Sequence, residues 1–402
     1  MRVRDLIKEK GFEYLIYALL LSLFFSKAIP NIILAILSIW TIIDCRNNKG
    51  LGLNFTFSSR TILLVLLGFL TVKSVFFGTI LYDFKVYKGF FLLFWLTVVL
   101  KKVTDFNSLK GVILWGINSA ILCSVFLVSL FFLKHHTLPF SNTAEVNELL
   151  LLERPYIGFI AVVGFLLAIE KAFISIRGKY FWIINAVLLF LFIILISARI
   201  SIITLFLVAI IYLFFYAKIS LLKKVVFLIS FIVFFGLIVV TNKNISERFF
   251  VKNNLEESLK VASDYEPRIV IWNCAFSMTQ KSDFNSLIGF DGYGTISDNF
   301  LDCYSSTIEN VSKKDYFLSE KFNSHNQFID LYLIGGLIGF GLFVAFFIKL
   351  FSEVRENFFQ TAIVTAFLLF FCVENIFYRQ FGCYLVGIFI LTLSHVKNKI
   401  NE

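Results

Sequence analysis

Apolar runs of bilayer length, separated by short charged breaks, recur along nearly the whole chain. The hydrocarbon core of a bilayer is about 30 Å thick, and a helix crosses it with roughly 20 apolar residues. In that medium every backbone donor and acceptor must be satisfied within the protein, which a helix does by itself. Composition removes the alternatives: 58% of the 402 residues are hydrophobic and only 16% are charged. An average soluble domain carries about 25% charged residues, so a soluble enzyme of this size could not cover so much apolar surface. An outer-membrane barrel is excluded as well, because its strands alternate apolar and polar residues rather than running apolar throughout.

The expected fold is therefore all-α, a polytopic membrane protein with about twelve transmembrane helices. The spans are expected at approximately 12–28, 30–45, 61–80, 86–100, 111–133, 155–173, 180–197, 200–217, 223–241, 328–348, 360–377 and 381–396. The first follows a basic start but lacks a small-residue cleavage site, so it reads as a retained span rather than a signal peptide. Residues 180–217 are nearly unbroken apolar sequence, interrupted only by Ser197, Ala198, Arg199 and Ser201, and must fold back there, with Arg199 at a tight turn. With an even number of spans both termini share a side. The loops on that side carry twenty Lys and Arg, whereas the short loops opposite carry seven. Cations favour the cytoplasmic side, so both termini are expected to be cytoplasmic, in a bacterial inner membrane. The net charge of +10 is then topology and does not point to nucleic acid.

This orientation puts one long polar segment, 242–324, outside, with nine Lys/Arg against twelve Asp/Glu. A loop of this length is rarely without a function. The domain reading is transmembrane helices 1–9 over 1–241, a large, partly helical periplasmic loop over 242–327, and transmembrane helices 10–12 with a cytoplasmic tail over 328–402. Cys274 and Cys303 share that loop, and the sequence does not decide whether they meet. Cys45, Cys123, Cys372 and Cys383 lie in or beside apolar spans and read as small apolar side chains. Glu374, Arg379, Lys73 and Glu170, charged residues at or near spans, are expected to pair or to face the bundle interior.

No phosphate-loop sequence GxxxxGK[ST], HExxH or EF-hand pattern occurs, so no ATP or metal site is expected, and the protein must use a gradient or an already activated substrate. Two constellations stand out. Ser324-His325-Asn326-Gln327-Phe328 sits where the long loop re-enters the bilayer, followed by Gly335-Gly336-Leu337-Ile338-Gly339. An imidazole at that mouth is suited to take a proton from a hydroxyl near neutral pH. The glycines allow close backbone approach. The simpler reading is that His325 and Asn326 cap the helix. Arg268, in Glu266-Pro267-Arg268-Ile269-Val270-Ile271-Trp272, and Arg199 at the outer turn form the second constellation. A guanidinium grips phosphate oxygens bidentately and stays charged when partly desolvated. The simpler readings are snorkelling for Arg199 and a loop ion pair with Glu266 or Asp264 for Arg268. Residues 289–295, rich in glycine, read as a turn-rich loop.

Taken in order, these parts resemble the O-antigen ligase and polymerase superfamily of membrane glycosyltransferases of the GT-C type. The resemblance rests on Arg199 after Ile196-Ser197-Ala198, on Pro267-Arg268 with Trp272, and on His325-Asn326 followed after nine residues by Gly336-Leu337-Ile338-Gly339. It is strongest from 199 to 341. It implies transfer of a glycan from an undecaprenyl-diphosphate carrier to a sugar hydroxyl, with inversion and with no cofactor or required metal. It also implies that His325 is the general base, that Arg268 and Arg199 bind the diphosphate, and that Asn326, Gly336 and Gly339 support the site. The implied acceptor is lipid A–core for a ligase or the growing glycan for a polymerase. Polymerases of the best-described kind carry Arg-x10-Gly patterns, but here Arg199 and Arg268 are followed eleven positions later by Ile210 and Thr279, which tilts the expectation to a ligase. A transporter or flippase of lipid-linked glycans is the alternative of another class. It would show matched halves with broken spans around a midplane site, whereas here the polar residues gather at the outer face.

Overall fold

The computed structural model describes residues 3–47, 57–103, 105–136, 146, 148–175, 178–241 and 267–393. The first part of the long loop, 242–266, including Asp264 and Glu266 considered above as partners of Arg268, lies outside the described residues. Among the described residues the chain is all-helical, with one isolated bridge between Asn285 and Gly289.

Helices stand at each of the twelve expected positions. They are α1 (Val3–Ser22), α2 (Ile29–Asn47), α3 (Ser59–Phe76), α4 (Ile80–Leu100), α5 (Phe106–His135), α6 (Arg154–Ile174), α7 (Lys179–Leu195), α8 (Arg199–Ile211) and α9 (Leu221–Thr241), then, past the long segment, α13 (Gln327–Val354), α14 (Phe358–Phe371) and α15 (Gln380–Leu385). The long segment contributes α10 (Pro267–Met278), α11 (Tyr293–Thr307) and α12 (Val311–Glu320), so its described part is helical. Six stretches have the length and apolarity to cross a membrane: 29–46, 59–76, α5, α6, 199–216 and α13. Twelve crossings is thus the reading of hydropathy, and six is the number that length and composition meet among the described residues.

Lipid exposure is written on the surface. Leu81, Phe76 and Phe215 are 90%, 82% and 80% exposed, and large apolar side chains line the outward faces of α2, α5, α7 and α9. Apolar surface this extensive marks a lipid or partner contact rather than a face for water. The interior is built round α6, which is apolar on all sides and buried on nearly all of them. It packs against α5, α7, α8 and α14. The approach to α8 is close at Gly158, where a Cβ would come 2.6 Å from Ser201 Oγ. Two of the buried charges expected to find partners do so: Lys110 Nζ lies 2.7 Å from Glu170 Oε1, and Lys73 donates to the carbonyls of Phe290 and Ile334.

The reason Lys73 finds those carbonyls is a break in α13. Gly336 sits at φ 57° and ψ −155°, so the helix kinks in its middle. The backbone groups freed by the kink are taken up by the turn before α11. Phe290 N donates to Leu333 O at 2.8 Å, Leu337 N to Ser286 O at 2.9 Å and Ile338 N to Leu287 O at 3.1 Å. In a bilayer such groups must be satisfied by protein, and here the glycine-rich loop itself does it. The turn 285–290 is therefore an anchor that docks on α13.

Candidate functional site

The site is built from three segments at one end of the bundle: α10, the strap leading into α13, and the turn after α14. The span expected to run to 377 ends at Phe371, and the chain turns through Cys372–Asn375 into a short 3-10 helix at Ile376–Tyr378. That turn presents Glu374, which is 4% exposed.

His325 lies on the strap. Its backbone is at φ 42°, a left-handed conformation uncommon for a residue with a side chain. It is held there by Asn323, whose Oδ1 accepts from His325 N at 3.1 Å. The next residue does the capping. Asn326 Oδ1 accepts from Phe328 N at 2.9 Å and Ile329 N at 3.1 Å, closing the open donors of α13. Of the two residues that could have been caps, Asn326 is one and His325 is not. The histidine side chain is partly exposed, and its ring packs on Phe322 with centroids 5.6 Å apart.

Arg268 stands in the first turn of α10, after Pro267. Its Nη2 donates to Glu374 Oε1 at 3.1 Å and to Val373 O at 3.3 Å. His325 Nδ1 lies 3.5 Å from the other oxygen of the same carboxylate. Burial alone would raise Glu374, but the His325 ring, Arg268 and Arg379 outweigh it and hold the carboxyl below its ordinary range. Arg379 itself pairs with Glu153 and lies 5.1 Å over the Tyr156 ring. So Glu374 and Arg379, both expected to find partners, each bind others: Glu374 takes Arg268 and His325, and Arg379 takes Glu153.

Behind this surface a buried carboxylate locks the segments together. Asp330, 1% exposed, accepts from Tyr378 OH at 3.0 Å, Tyr293 OH at 3.1 Å, Gln327 Nε2 at 3.2 Å and Asn375 Nδ2 at 3.3 Å. Those donors come from α11, α13 and the turn after α14. Ser324 joins the same network: Asn375 Nδ2 donates to its Oγ at 2.9 Å, and Trp272 Nε1 donates to its carbonyl at 3.0 Å. Trp272 thereby ties the helix that carries Arg268 to the residue before His325. Cys274 and Cys303 form a disulfide with Cα atoms 5.8 Å apart, which fixes α10 to α11. The other four cysteines are free.

The structure brings Arg268 and His325 onto one carboxylate. Arg199 opens α8 directly after the turn at Ser197, which has φ 50°, and is exposed. Its neighbour Ser201 lies beside Gly158 in the first turns of α6, and Tyr156 in those turns packs on Phe370 with centroids 5.0 Å apart. Arg199 therefore shares the end of the bundle that holds Glu374, beside α6 and α14 rather than on the carboxylate itself. Gly336 and Gly339 make the kink and its packing: a Cβ at Gly339 would come 2.9 Å from Leu331 O. Neither glycine touches the His325 cluster directly; they set how α13 leaves it. A cavity of about 920 Å³ borders α10 and is lined by Ile269, Asn273, Asn310, Lys313 and Tyr316 among others. A second, of about 480 Å³, lies beyond Arg379, between Lys27, Glu153, Tyr156 and Tyr384.

Sequence reasoning missed the Asp330 network and the hub role of Glu374. Both had a signal, since a carboxylate in an apolar run must be satisfied by protein donors, but the identity of the donors was not in that signal. No curated protein matches the chain. A family model described as O-antigen ligase matches residues 184–344, a stretch that contains Arg199, Arg268, His325, Asn326, Gly336 and Gly339. The matched segment begins in α7, takes in the long segment and ends in α13, and over that stretch the chain is similar to the O-antigen ligase family.

Proposed function

We propose that the protein is a membrane glycosyltransferase that moves a glycan from an undecaprenyl-diphosphate carrier to a sugar hydroxyl at the periplasmic face, in the manner of an O-antigen ligase. The observation that carries the reading is the meeting of Arg268 and His325 on Glu374, within the segment matched by the O-antigen ligase model. In this reading Arg268, with Arg199, holds the diphosphate of the donor. His325 takes the proton of the acceptor hydroxyl as its oxygen attacks the anomeric carbon. The bond from that carbon to the diphosphate oxygen breaks, its electron pair leaves with undecaprenyl diphosphate, and the new glycosidic bond forms with inversion. The diphosphate departs as a stabilised anion, so the leaving group needs no acid.

A polymerase of the same superfamily would use the same groups on a growing glycan. The missing Arg-x10-Gly patterns favour the ligase. Transport is supported less well: the break in α13 at Gly336 is filled by the chain's own turn 286–290, which leaves no open substrate site at that break. The test is His325→Ala in the native host. Surface glycan attachment is expected to disappear from gels while the protein inserts at its normal level. An unchanged glycan ladder would remove the assignment.

A further inference from the structure

Glu374 divides its oxygens between two partners at unequal distances. Oε1 accepts from Arg268 at 3.1 Å, whereas Oε2 stops 3.5 Å short of His325 Nδ1. That nitrogen is buried and makes no hydrogen bond. Buried polar atoms rarely stay unpaired, and catalytic hydrogen bonds are often long before substrate binds and tighten afterwards. The groups facing Glu374 are Arg268 from α10, His325 from the strap, Arg379 from its own turn and Tyr156 from α6. Arg379 is already engaged by Glu153, and Tyr156 OH is buried without a hydrogen bond. Nearby Asp330 is filled by four neutral donors, so it does not compete for the imidazole.

We propose that Glu374 is the positioning residue of this site: it keeps His325 Nδ1 turned toward its carboxylate, leaving Nε2 for the acceptor hydroxyl, and shares itself with Arg268 only until a diphosphate takes the guanidinium. This rests on the function proposed above. Once phosphate oxygens engage Arg268, the Glu374 charge falls mainly on the imidazole, and the Nδ1–H bond closes. The hydroxyl proton then arrives on Nε2 of a ring whose positive charge is compensated. Donor binding thereby readies the base, and a ring left idle without donor does not activate water.

The test compares Glu374→Gln, Glu374→Asp and His325→Ala in membranes from cells that make the lipid-linked glycan, with transfer followed across pH and undecaprenyl diphosphate as the binding probe. Transfer needs a neutral imidazole, so activity rises along an acid limb. Removing the carboxylate makes the imidazolium less stable, which moves that limb to lower pH. For Glu374→Gln we expect transfer to fall at least about tenfold, the acid limb to move down and probe binding to persist. A purely structural role would lower the amount of protein without moving the limb. Glu374→Asp keeps the charge but withdraws it by one methylene, so it is expected to be slower with its limb near the wild-type position; it serves if the Gln variant does not insert. A wild-type rate and limb in Glu374→Gln, or a wild-type rate in Glu374→Asp, with His325→Ala silent, overturns the role of Glu374 and leaves the function standing. Transfer surviving in His325→Ala overturns the function and this inference with it.

Discussion

Arg268 gains its meaning from its partners, which the sequence near it does not contain. Its guanidinium reaches one carboxylate oxygen and one carbonyl at once, Glu374 Oε1 and Val373 O. A lysine ammonium is a point charge and cannot reproduce that fork. Hydrogen bonds to charged groups are worth about 1.5–3 kcal/mol, so Arg268→Lys is expected to cut transfer by roughly 10- to 100-fold at matched protein level, measured in membranes. Full activity in that variant would return Arg268 to a role in the loop alone. Linkage has a definite sign at Glu374. Its folded value is lowered, so its pairing contributes fully above the ordinary carboxylate range and is lost as pH falls through the lowered value. Asn326 was readable from the sequence, since an Asn before an apolar run is a strong N-cap signal. His325 was readable only as a candidate, because the same residues fit a cap and a base equally well.

At the scale of elements, α13 decides how the site is mounted. Its kink at Gly336 lets the turn 286–290 supply backbone partners, and Lys73 closes two further carbonyls there. Gly336 has φ 57°, and a Cβ there would lie 2.3 Å from Leu287 C. Gly336→Ala therefore meets both backbone strain and a clash with main chain that cannot swing aside. We expect it to cost at least about 2 kcal/mol and to deplete the folded protein, seen as reduced membrane level and a lower melting temperature in detergent. Normal level and melting would show that the kink is not required. Hydropathy made α13 legible as a helix but concealed its break. A Gly pair in an apolar run is compatible with a straight helix packed closely on a neighbour, and only the docking of a loop from the preceding segment makes the bend favourable.

For the whole molecule, orientation and covalent closure are the quantities to measure. Cys274 and Cys303, 29 residues apart in sequence, clamp the helix carrying Arg268 to the helix carrying Tyr293. Disulfides persist in oxidising compartments, which agrees with the proposed periplasmic position of this segment. Replacing both cysteines by serine is expected to lower stability by about 2–4 kcal/mol and to weaken transfer through misplacement of Arg268, measured by melting and activity with and without reductant. Unchanged values would make the bridge dispensable. An alkaline phosphatase fusion at Lys281 is expected to be active, and an inactive one would invert the proposed topology.

The sequence by itself determined the class of solvent and the helical elements, and it offered His325, Arg268 and Arg199 as candidates, because apolar run length, charge spacing and caps are local properties that the bilayer reads directly. Tertiary structure alone decided that Arg268 and His325 share Glu374, that Cys274 meets Cys303, and that α13 bends at Gly336. Those are contacts between segments up to 106 positions apart. Which carboxylate a buried cation finds depends on how helices pack, and packing is a property of the whole apolar interior rather than of any window along the chain.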